Sequence, residues 1–255
     1  MKIDEARALV TGGASGLGLA VAQRVIAEGG KASLLDVQEA AGKAAAQSLG
    51  ANASFQACDV TSEAEVDAAV TAAHQRMGGL NLIVNCAGIV GAGRVLGREG
   101  PMSGEFFTRV VRINLIGTFL VDKAAALLMQ GNTPGEDGER GLIIHTSSVA
   151  AFEGQIGQCA YSATKAAVMG MTLPMAREFA RIGVRVMAIA PGIFHTPMMA
   201  GLPPEAQQSL AAQVPFPVRL GKPEEFAELV VAIARNRMLN GETIRLDGAI
   251  RMQPK

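Results

Sequence analysis

The chain has 255 residues, 49% hydrophobic and 18% charged, and its 23 basic and 23 acidic side chains cancel at pH 7. This composition supports a packed domain, and no run of Lys or Arg offers the charge stripe that nucleic acid requires, so we expect no nucleic acid partner. With no apolar stretch near the roughly 18 residues of a membrane span, no secretory leader, and three cysteines without CxxC spacing, we expect a cytoplasmic protein with neither membrane association nor a metal site.

Short apolar runs rich in β-formers alternate with longer segments of helical periodicity, as in repeated βαβ units on a parallel sheet. Strands are predicted at 6–11, 31–36, 53–58, 80–85, 141–147, 184–190 and 242–246. Helices are predicted at 16–28, 63–77, 105–129, 158–181 and 224–235. The alternation predicts an α/β fold of the doubly wound Rossmann type, with a seven-stranded parallel sheet and a single domain over 1–255.

A glycine-rich turn, TGGASGLG at 11–18, joins the first strand to the first helix. Glycines allow a tight turn and bring backbone N–H groups close to a pyrophosphate at the helix N-terminus. Taken alone, such a triplet also fits an ordinary strand-to-helix turn. In its context the turn predicts dinucleotide contacts from Gly12, Ser15, Gly16, Leu17 and Gly18.

Asp36 ends the second strand, at the position where an acidic side chain binds the adenosine ribose hydroxyls. Its carboxylate repels a 2′-phosphate, and Ser15 stands in the glycine turn where a basic residue would hold one. We therefore expect NAD as the cofactor in preference to NADP. The ends of the third and fourth strands add predicted cofactor contacts at Asp59, Val60, Asn85, Ala87 and Gly88.

Tyr161 is the only tyrosine, and Lys165 follows it one helical turn later, so the two share a helix face. A cation beside a phenol favours the phenolate and lowers its pKa, as a general acid or base requires. Ser148, at the end of the fifth strand, is placed to bond the same substrate oxygen. A lone Tyr-x-x-x-Lys more often marks a surface tyrosine beside a solvated lysine, but the nucleotide-binding first half favours catalysis.

Together these motifs resemble the classical short-chain dehydrogenases/reductases, with TGxxxGxG, NxAG, a strand-end serine, YxxxK and PG in the same order. The resemblance implies that Tyr161 exchanges the proton, Ser148 positions the substrate oxygen, and Lys165 binds the nicotinamide ribose and lowers the tyrosine pKa. It further implies that Asn114 holds a water that passes the proton toward solvent. Tyr161 is predicted to contact the cofactor together with Lys165, and the PG motif and its surroundings add cofactor contacts at Pro191, Gly192 and Thr196.

Three longer stretches, SVAAFEGQIGQCAYSATK, VPFPVRLG and NGETIRLDGAIRMQP, are similar to the type-2 3-hydroxyacyl-CoA dehydrogenase group of that family. The similarity implies NAD-dependent oxidation of a 3-hydroxyacyl-CoA thioester, in fatty-acid or branched-chain acyl-CoA oxidation, by a homotetramer. Alternatives are a hydroxysteroid or general secondary-alcohol dehydrogenase, and a non-catalytic NAD-binding scaffold, for which a broken catalytic set would be expected. Besides Ser148 and Tyr161, the predicted substrate contacts are Gln155, His195, Met198 and Met199.

The segment 192–220 interrupts the strand–helix alternation, because it holds five of the eleven prolines and directly follows a strand end. Loops at that edge often cover active sites, so we expect a substrate lid here. Two reactive side chains are given structural roles. His145 has no acidic partner apparent in the sequence, and Cys159 has no base at a recognisable spacing, so we expect a structural histidine and a space-filling cysteine.

Overall fold

A computed structural model describes residues 1–98, 100–201 and 203–254, without the side chains at 198, 200 and 206. The strands are β1 (Arg7–Thr11), β2 (Lys31–Asp36), β3 (Ala53–Ala57), β4 (Leu82–Asn85), β5 (Leu96–Gly97), β6 (Gly100–Pro101), β7 (Gly141–Thr146), β8 (Val184–Pro191) and β9 (Thr243–Leu246). All but β5 and β6 form one parallel sheet in the order β3-β2-β1-β4-β7-β8-β9, while β5 and β6 make a small antiparallel ribbon. The predicted seven-stranded Rossmann-type sheet is confirmed.

The helices are α1 (Gly16–Ala27), α2 (Glu39–Leu49), α3 (Glu63–Met77), α4 (Gly104–Val111), α5 (Gly117–Met129), α6 (Cys159–Phe179), α7 (Pro197–Ala200), α8 (Pro204–Ala211) and α9 (Pro223–Arg235). A π-helical turn, Arg112–Ile116, joins α4 to α5, where the sequence predicted one uninterrupted helix. Short 3₁₀ turns lie at Glu136–Gly138, Val149–Ala151 and Ala180–Ile182. No helix in the described part of the chain is both long and apolar enough to cross a bilayer.

The sheet carries helices on both faces because its central strands are apolar on both sides. Along β7, Ile143 packs in the core that contains α3, α5 and α6, whereas Leu142 and Ile144 pack in the core that contains α1 and α9. This alternation follows from the two-residue period of a strand. The two cores hold the carboxyl ends of the strands rigidly, and the loops that follow those ends carry the polar residues.

Helix α2 was not predicted from the sequence. In this helix only Gly42 and Ala45 are buried, so the segment lacks the apolar periodicity from which the other helices were predicted. Gly42 lies directly against the ring of Phe55 on β3, and a Cβ there would fall 2.0 Å from that ring. The helix is therefore held by close backbone approach at Gly42 and by the alanines that fill half of its other positions and favour helix.

Candidate active site

One cleft of about 1240 Å³ runs along the carboxyl ends of the strands. Its lining includes most of the predicted site residues, which are Gly12, Ser15, Gly16, Leu17, Gly18, Asp36, Asp59, Val60, Ala87, Gly88, Ser148, Gln155, Tyr161, Lys165, Pro191, Gly192, Thr196 and Met199. Asn85, Asn114 and His195 lie outside this lining, and the side chain of Met198 is outside the described residues. A cleft of this size exceeds the usual pocket for one small ligand and has room for a cofactor and a substrate.

The glycine turn forms one end of the cleft, at the start of α1. Gly12 has φ +62°, and a Cβ on it would fall 2.8 Å from the backbone N of Ala87, so only glycine fits between β1 and the loop after β4. A Cβ on Gly18 would fall 2.4 Å from the oxygen of Gly12. This packing draws α1 against the turn and leaves its first-turn N–H groups facing the cleft without intrahelical acceptors. Such a cradle fits a pyrophosphate.

Asp36 lies beside the glycine turn and is only partly buried. Its carboxylate accepts hydrogen bonds from the backbone N–H of Ala14 at 3.2 Å and of Gln38 at 3.0 Å. These bonds fix the carboxylate at the mouth of the cleft, and each oxygen keeps a further acceptor site. The arrangement suits a ligand that presents a pair of hydroxyls, such as an adenosine ribose.

Thr11, at the end of β1, fixes the loop that follows β4. Its hydroxyl oxygen accepts from the backbone N–H groups of Cys86 and Ala87, both at 3.1 Å. The side chain of Asn85 does not face the cleft, because Asn85 shares its strand face with Ile83 and therefore points toward α5. There its Nδ2 donates to Asp122 at 2.6 Å. The predicted cofactor contact by the Asn85 side chain is corrected to a structural contact.

Tyr161 lies near the start of α6 and faces Ser148 across the cleft. Burial raises the pKa of the Tyr161 phenol, and a hydrogen bond with Ser148 acts in the opposite direction. The net shift is the reverse of the lowered pKa expected from the Tyr–Lys spacing, because desolvation of the phenolate outweighs that hydrogen bond. In this state the tyrosine holds its proton at neutral pH.

Lys165 lies beneath Tyr161, with its Nζ 5.8 Å from the centroid of the tyrosine ring. The ammonium donates to the carbonyl oxygen of Thr146 at 2.7 Å, and burial lowers the pKa of Lys165 to about 8. The hydroxyl of Ser147 donates to the carbonyl oxygen of Lys165 at 2.9 Å. Thr146 and Ser147 therefore set the position of α6 against the end of β7, a role that the sequence analysis did not assign to them.

Asn114 is buried inside the π-helical turn. Its Oδ1 accepts from the N–H of Ile89 at 2.8 Å, while its Nδ2 donates to the oxygen of Ile89 at 2.9 Å and to the hydroxyl of Thr164 at 3.1 Å. Both amide hydrogens are thus used within the protein, so the side chain joins α6 to the loop after β4. A π-turn inside a helix is frequent at functional sites because it redirects one residue.

A second polar group lies under the cleft, where Asp122 of α5 and His145 of β7 are both fully buried. His145 Nε2 is 2.8 Å from Asp122 Oδ2, and His145 Nδ1 is 3.0 Å from the hydroxyl oxygen of Thr172. Because that hydroxyl donates to the oxygen of Val168, the ring Nδ1 is the donor to Thr172. His145 is structural, as predicted, and its acidic partner is Asp122.

Two further sequence-based expectations fail. Phe194 is buried and lines the cleft, so His195, the next residue along an extended segment, points outward and is exposed. Its backbone N–H donates to Gly221 at 2.8 Å. Cys159 is exposed at the start of α6 and does not fill space in the site. Within the described residues, no group of three or more His, Cys, Asp or Glu side chains is arranged to hold a metal ion.

Comparison with known proteins gives consistent relatives over almost the whole chain. A family model described as short chain dehydrogenase matches residues 6–207. The 3-hydroxyacyl-CoA dehydrogenase type-2 of Bos taurus is 53% identical over 249 residues, covering 97% of this chain and 95% of that protein. The protein of the same name from Drosophila melanogaster is 50% identical over 254 residues, covering 99% of this chain and 100% of that protein.

Among solved structures, the crystal structure of 3-hydroxyacyl-CoA dehydrogenase type-2 from Mycobacterium avium superimposes with a TM-score of 0.94. That chain is 43% identical, and the match covers 99% of this chain and 98% of the other. The sequence and structural matches therefore lead to the same family. This chain belongs to the short-chain dehydrogenase family.

Proposed function

We propose that this enzyme interconverts a 3-hydroxyacyl-CoA and the corresponding 3-ketoacyl-CoA with NAD. The observation that carries the proposal is the partly buried Tyr161, bonded to Ser148 in the same cleft as a dinucleotide cradle. A phenol in such a cleft can give a proton to a carbonyl oxygen or take one from an alcohol. The names of relatives at 50–53% identity support the choice of acyl-CoA as the substrate class.

In this proposal the catalytic side chains have separate tasks. Ser148 donates to the substrate oxygen and holds it beside Tyr161, which transfers the proton. Lys165 uses one of its three N–H donors on Thr146 and has two left for the ribose hydroxyls next to the nicotinamide. When bound, the nicotinamide supplies or accepts the hydride. The first turn of α1 binds the pyrophosphate.

We propose that Asn114 contributes to the path by which the proton leaves Tyr161. It does so through the backbone carbonyl of Asn114 and not through its side chain. The amide group of the side chain is satisfied within the protein. The carbonyl oxygen accepts from the hydroxyl of Thr118 at 2.9 Å, and we assign the water of the proton path to this oxygen. The side chain then serves to hold that carbonyl at the π-turn.

We assign the cofactor as NAD because Asp36 puts a carboxylate where NADP carries its 2′-phosphate. Changing Asp36→Asn should lower the NAD-to-NADP ratio of kcat/KM by roughly 10- to 100-fold, since one charged hydrogen bond is worth about 1.5–3 kcal/mol. The asparagine retains an acceptor oxygen for the glycine turn. Steady-state kinetics with both cofactors measure the ratio, and an unchanged ratio would show that Asp36 does not select the cofactor.

A matched substrate series tests the acyl-CoA assignment. Acetoacetyl-CoA and free acetoacetate share the reacting ketone, so a difference between them reports on recognition of the thioester and CoA. We expect kcat/KM for acetoacetyl-CoA to exceed that for acetoacetate and for a steroid ketone by more than about tenfold, because remote binding energy is expressed in kcat/KM. Equal rates would indicate a general secondary-alcohol dehydrogenase, and no turnover of any ketone would indicate a cofactor-binding scaffold.

We also propose a lid, a homotetramer and a cytoplasmic location. Met199 and Leu210, on α7 and α8, line the cleft and support a lid function for 192–220. Exposed apolar side chains on α5 and α6 support assembly with further copies; they are Phe119, Leu127 and Leu173. All three cysteines are free thiols, which supports a reducing compartment. Light scattering on the purified protein measures the assembly directly.

A further inference from the structure

The C-terminal tail, residues 249–254, lies across the loop 152–158 that joins Ser148 to Tyr161. The backbone N–H of Ile156 donates to the oxygen of Pro254, and Nε2 of Gln155 donates to the oxygen of Gln253, both at 3.0 Å. These bonds connect residues nearly a hundred positions apart in the chain. The tail is therefore attached to the segment that carries the catalytic side chains.

A cluster of charges holds the start of this tail. Arg245 binds Glu153 through two parallel bonds of 2.8 and 3.0 Å, and it binds Asp247 at 2.7 Å. A further bond of 3.0 Å runs from Arg245 to the oxygen of Ile250. The side chains of Arg245 and Glu153 are only 20% and 26% exposed, and the fork geometry is the strong form of this ion pair. One arginine thus ties β9, the tail and the loop 152–158 together.

The tail lies near one edge of the sheet, and the predicted adenosine site lies near the opposite edge. β9 is the last strand of the sheet, next to β8, which in turn pairs with β7, whereas Asp36 ends β2 near the other edge. Ser148 follows β7, so the tail and the proton-transfer groups occupy the same half of the cleft. A side chain of the tail that faces the cleft is therefore directed at the substrate end.

Met252 is that side chain. It lines the cleft, and it packs with Val149, Val214 and Ile250 in a small apolar cluster beside Ser148. Met199 and Leu210 of the lid line the same cleft. A methionine has a flexible thioether that adapts to irregular apolar groups, so this wall suits an acyl chain better than a charged or rigid polar group.

We infer that Met252 is a specificity-determining residue that limits the length of the acyl chain. The Arg245–Glu153 ion pair holds Met252 in place. The inference rests on the proposed acyl-CoA function. Met252 forms the outer wall of the acyl end of the cleft. An acyl chain longer than the one that Met252 accommodates must displace the C-terminal tail and the charge cluster that fixes the tail.

The test compares Met252→Ala with Met238→Ala, because Met238 is 92% exposed and lies outside the cleft. The measured quantity is the ratio of kcat/KM for 3-ketohexanoyl-CoA to that for acetoacetyl-CoA. In Met252→Ala, the two additional methylenes of 3-ketohexanoyl-CoA should be buried in the space that the methionine side chain leaves. This burial should raise the ratio by roughly 5- to 15-fold. Met238→Ala should keep the wild-type ratio. An unchanged ratio in Met252→Ala, or the same rise in both variants, overturns the inference.

Failure of the broader proposal has a different signature. If wild type reduces neither thioester, the acyl-CoA function itself is wrong. If it reduces acetoacetyl-CoA well and Met252→Ala keeps the wild-type ratio, only the role of Met252 is wrong.

A second variant tests the ion pair as a positioning device. Glu153→Gln keeps the side-chain size but removes the charge that Arg245 binds, so the tail should loosen. We expect a smaller rise of the same ratio, carried by a lower KM for the longer substrate, with kcat for acetoacetyl-CoA retained. A fall in kcat for both substrates without a change in the ratio would show that the pair supports the catalytic loop and not Met252.

Discussion

The Tyr161→Phe variant should lose roughly 10²- to 10⁴-fold in kcat for ketone reduction, which is the range that general acid–base catalysis contributes. Phenylalanine fills the same space but has no proton to transfer to the substrate oxygen. NADH binding should stay within about twofold of wild type, because most contacts assigned to the dinucleotide come from Asp36, Lys165 and the backbone of the glycine turn, which the variant keeps. Stopped-flow turnover and fluorescence titration of NADH separate the two effects. Turnover close to wild type would contradict the assigned role.

The same residue can be titrated directly. Tyr161 is the only tyrosine and the chain has no tryptophan, so the near-ultraviolet absorbance of tyrosinate reports on this phenol alone. Burial raises its pKa, so in the protein without cofactor the absorbance change should fall above the ordinary value of 10. Reduction needs the protonated phenol and should decline as the pH rises through the pKa of Tyr161 in the complex with cofactor, whereas alcohol oxidation needs the phenolate and should increase over the same range. A tyrosinate signal that develops below pH 10 would contradict this account.

The Asp122→Ala variant should lose about 3–5 kcal/mol of unfolding free energy, because it leaves a fully buried histidine without its partner. In a chain of this size, such a loss lowers Tm by roughly 6–20 °C. The expected effect is large because Asp122 also accepts from Asn85, so the substitution breaks contacts to both β4 and β7. Thermal unfolding followed by circular dichroism measures the shift.

Asp122→Asn is the matched control for that variant. The amide oxygen can accept from Asn85, and the amide nitrogen can donate to His145 Nε2 when the ring is neutral with its proton on Nδ1, where it bonds Thr172. Every polar group then keeps a partner, and we expect a loss of about 1 kcal/mol or less. A loss as large as that of Asp122→Ala would mean that the network needs the charge of Asp122.

The sequence was most informative where local chemistry and chain order coincide. The strand, glycine turn and helix at 7–27 are adjacent in the chain, so the glycine spacing together with this local context was enough to predict the cradle. Tyr161 and Lys165 lie one helical turn apart, so their shared face was also predictable. The alternation of seven strands with helices along the chain predicted the parallel sheet, because parallel strands joined by helices have few alternative arrangements.

Contacts between distant segments were not predictable in the same way. His145 appeared to have no acidic partner because Asp122 lies on another element, 23 positions earlier. One signal was present, since Asp122 is the single acidic residue of a helix, GTFLVDKAAALLM, that is apolar apart from Thr118, Asp122 and Lys123. The Arg245–Glu153 pair spans 92 positions, and nothing in either segment indicates the other.

Side-chain direction also limited the sequence analysis. Asn85 lies at the end of β4 and His195 in the loop after β8, but neither side chain faces the cleft, because strand alternation and the neighbouring Phe194 decide their directions. The direction of the Tyr161 pKa shift depends on burial, which spacing does not reveal. The sequence therefore identified the reacting groups better than it described their surroundings.

The central claim is that the enzyme transfers a hydride between a nicotinamide cofactor and a 3-ketoacyl-CoA. The most direct test traces that hydride as deuterium. Acetoacetyl-CoA is incubated with the enzyme and NADH that carries deuterium at both positions of the reactive nicotinamide carbon, and the thioester product is examined by mass spectrometry and NMR. The account predicts 3-hydroxybutyryl-CoA with one deuterium on the carbon that bears the new hydroxyl. Consumption of NADH without deuterium at that carbon, or no consumption at all, would contradict it.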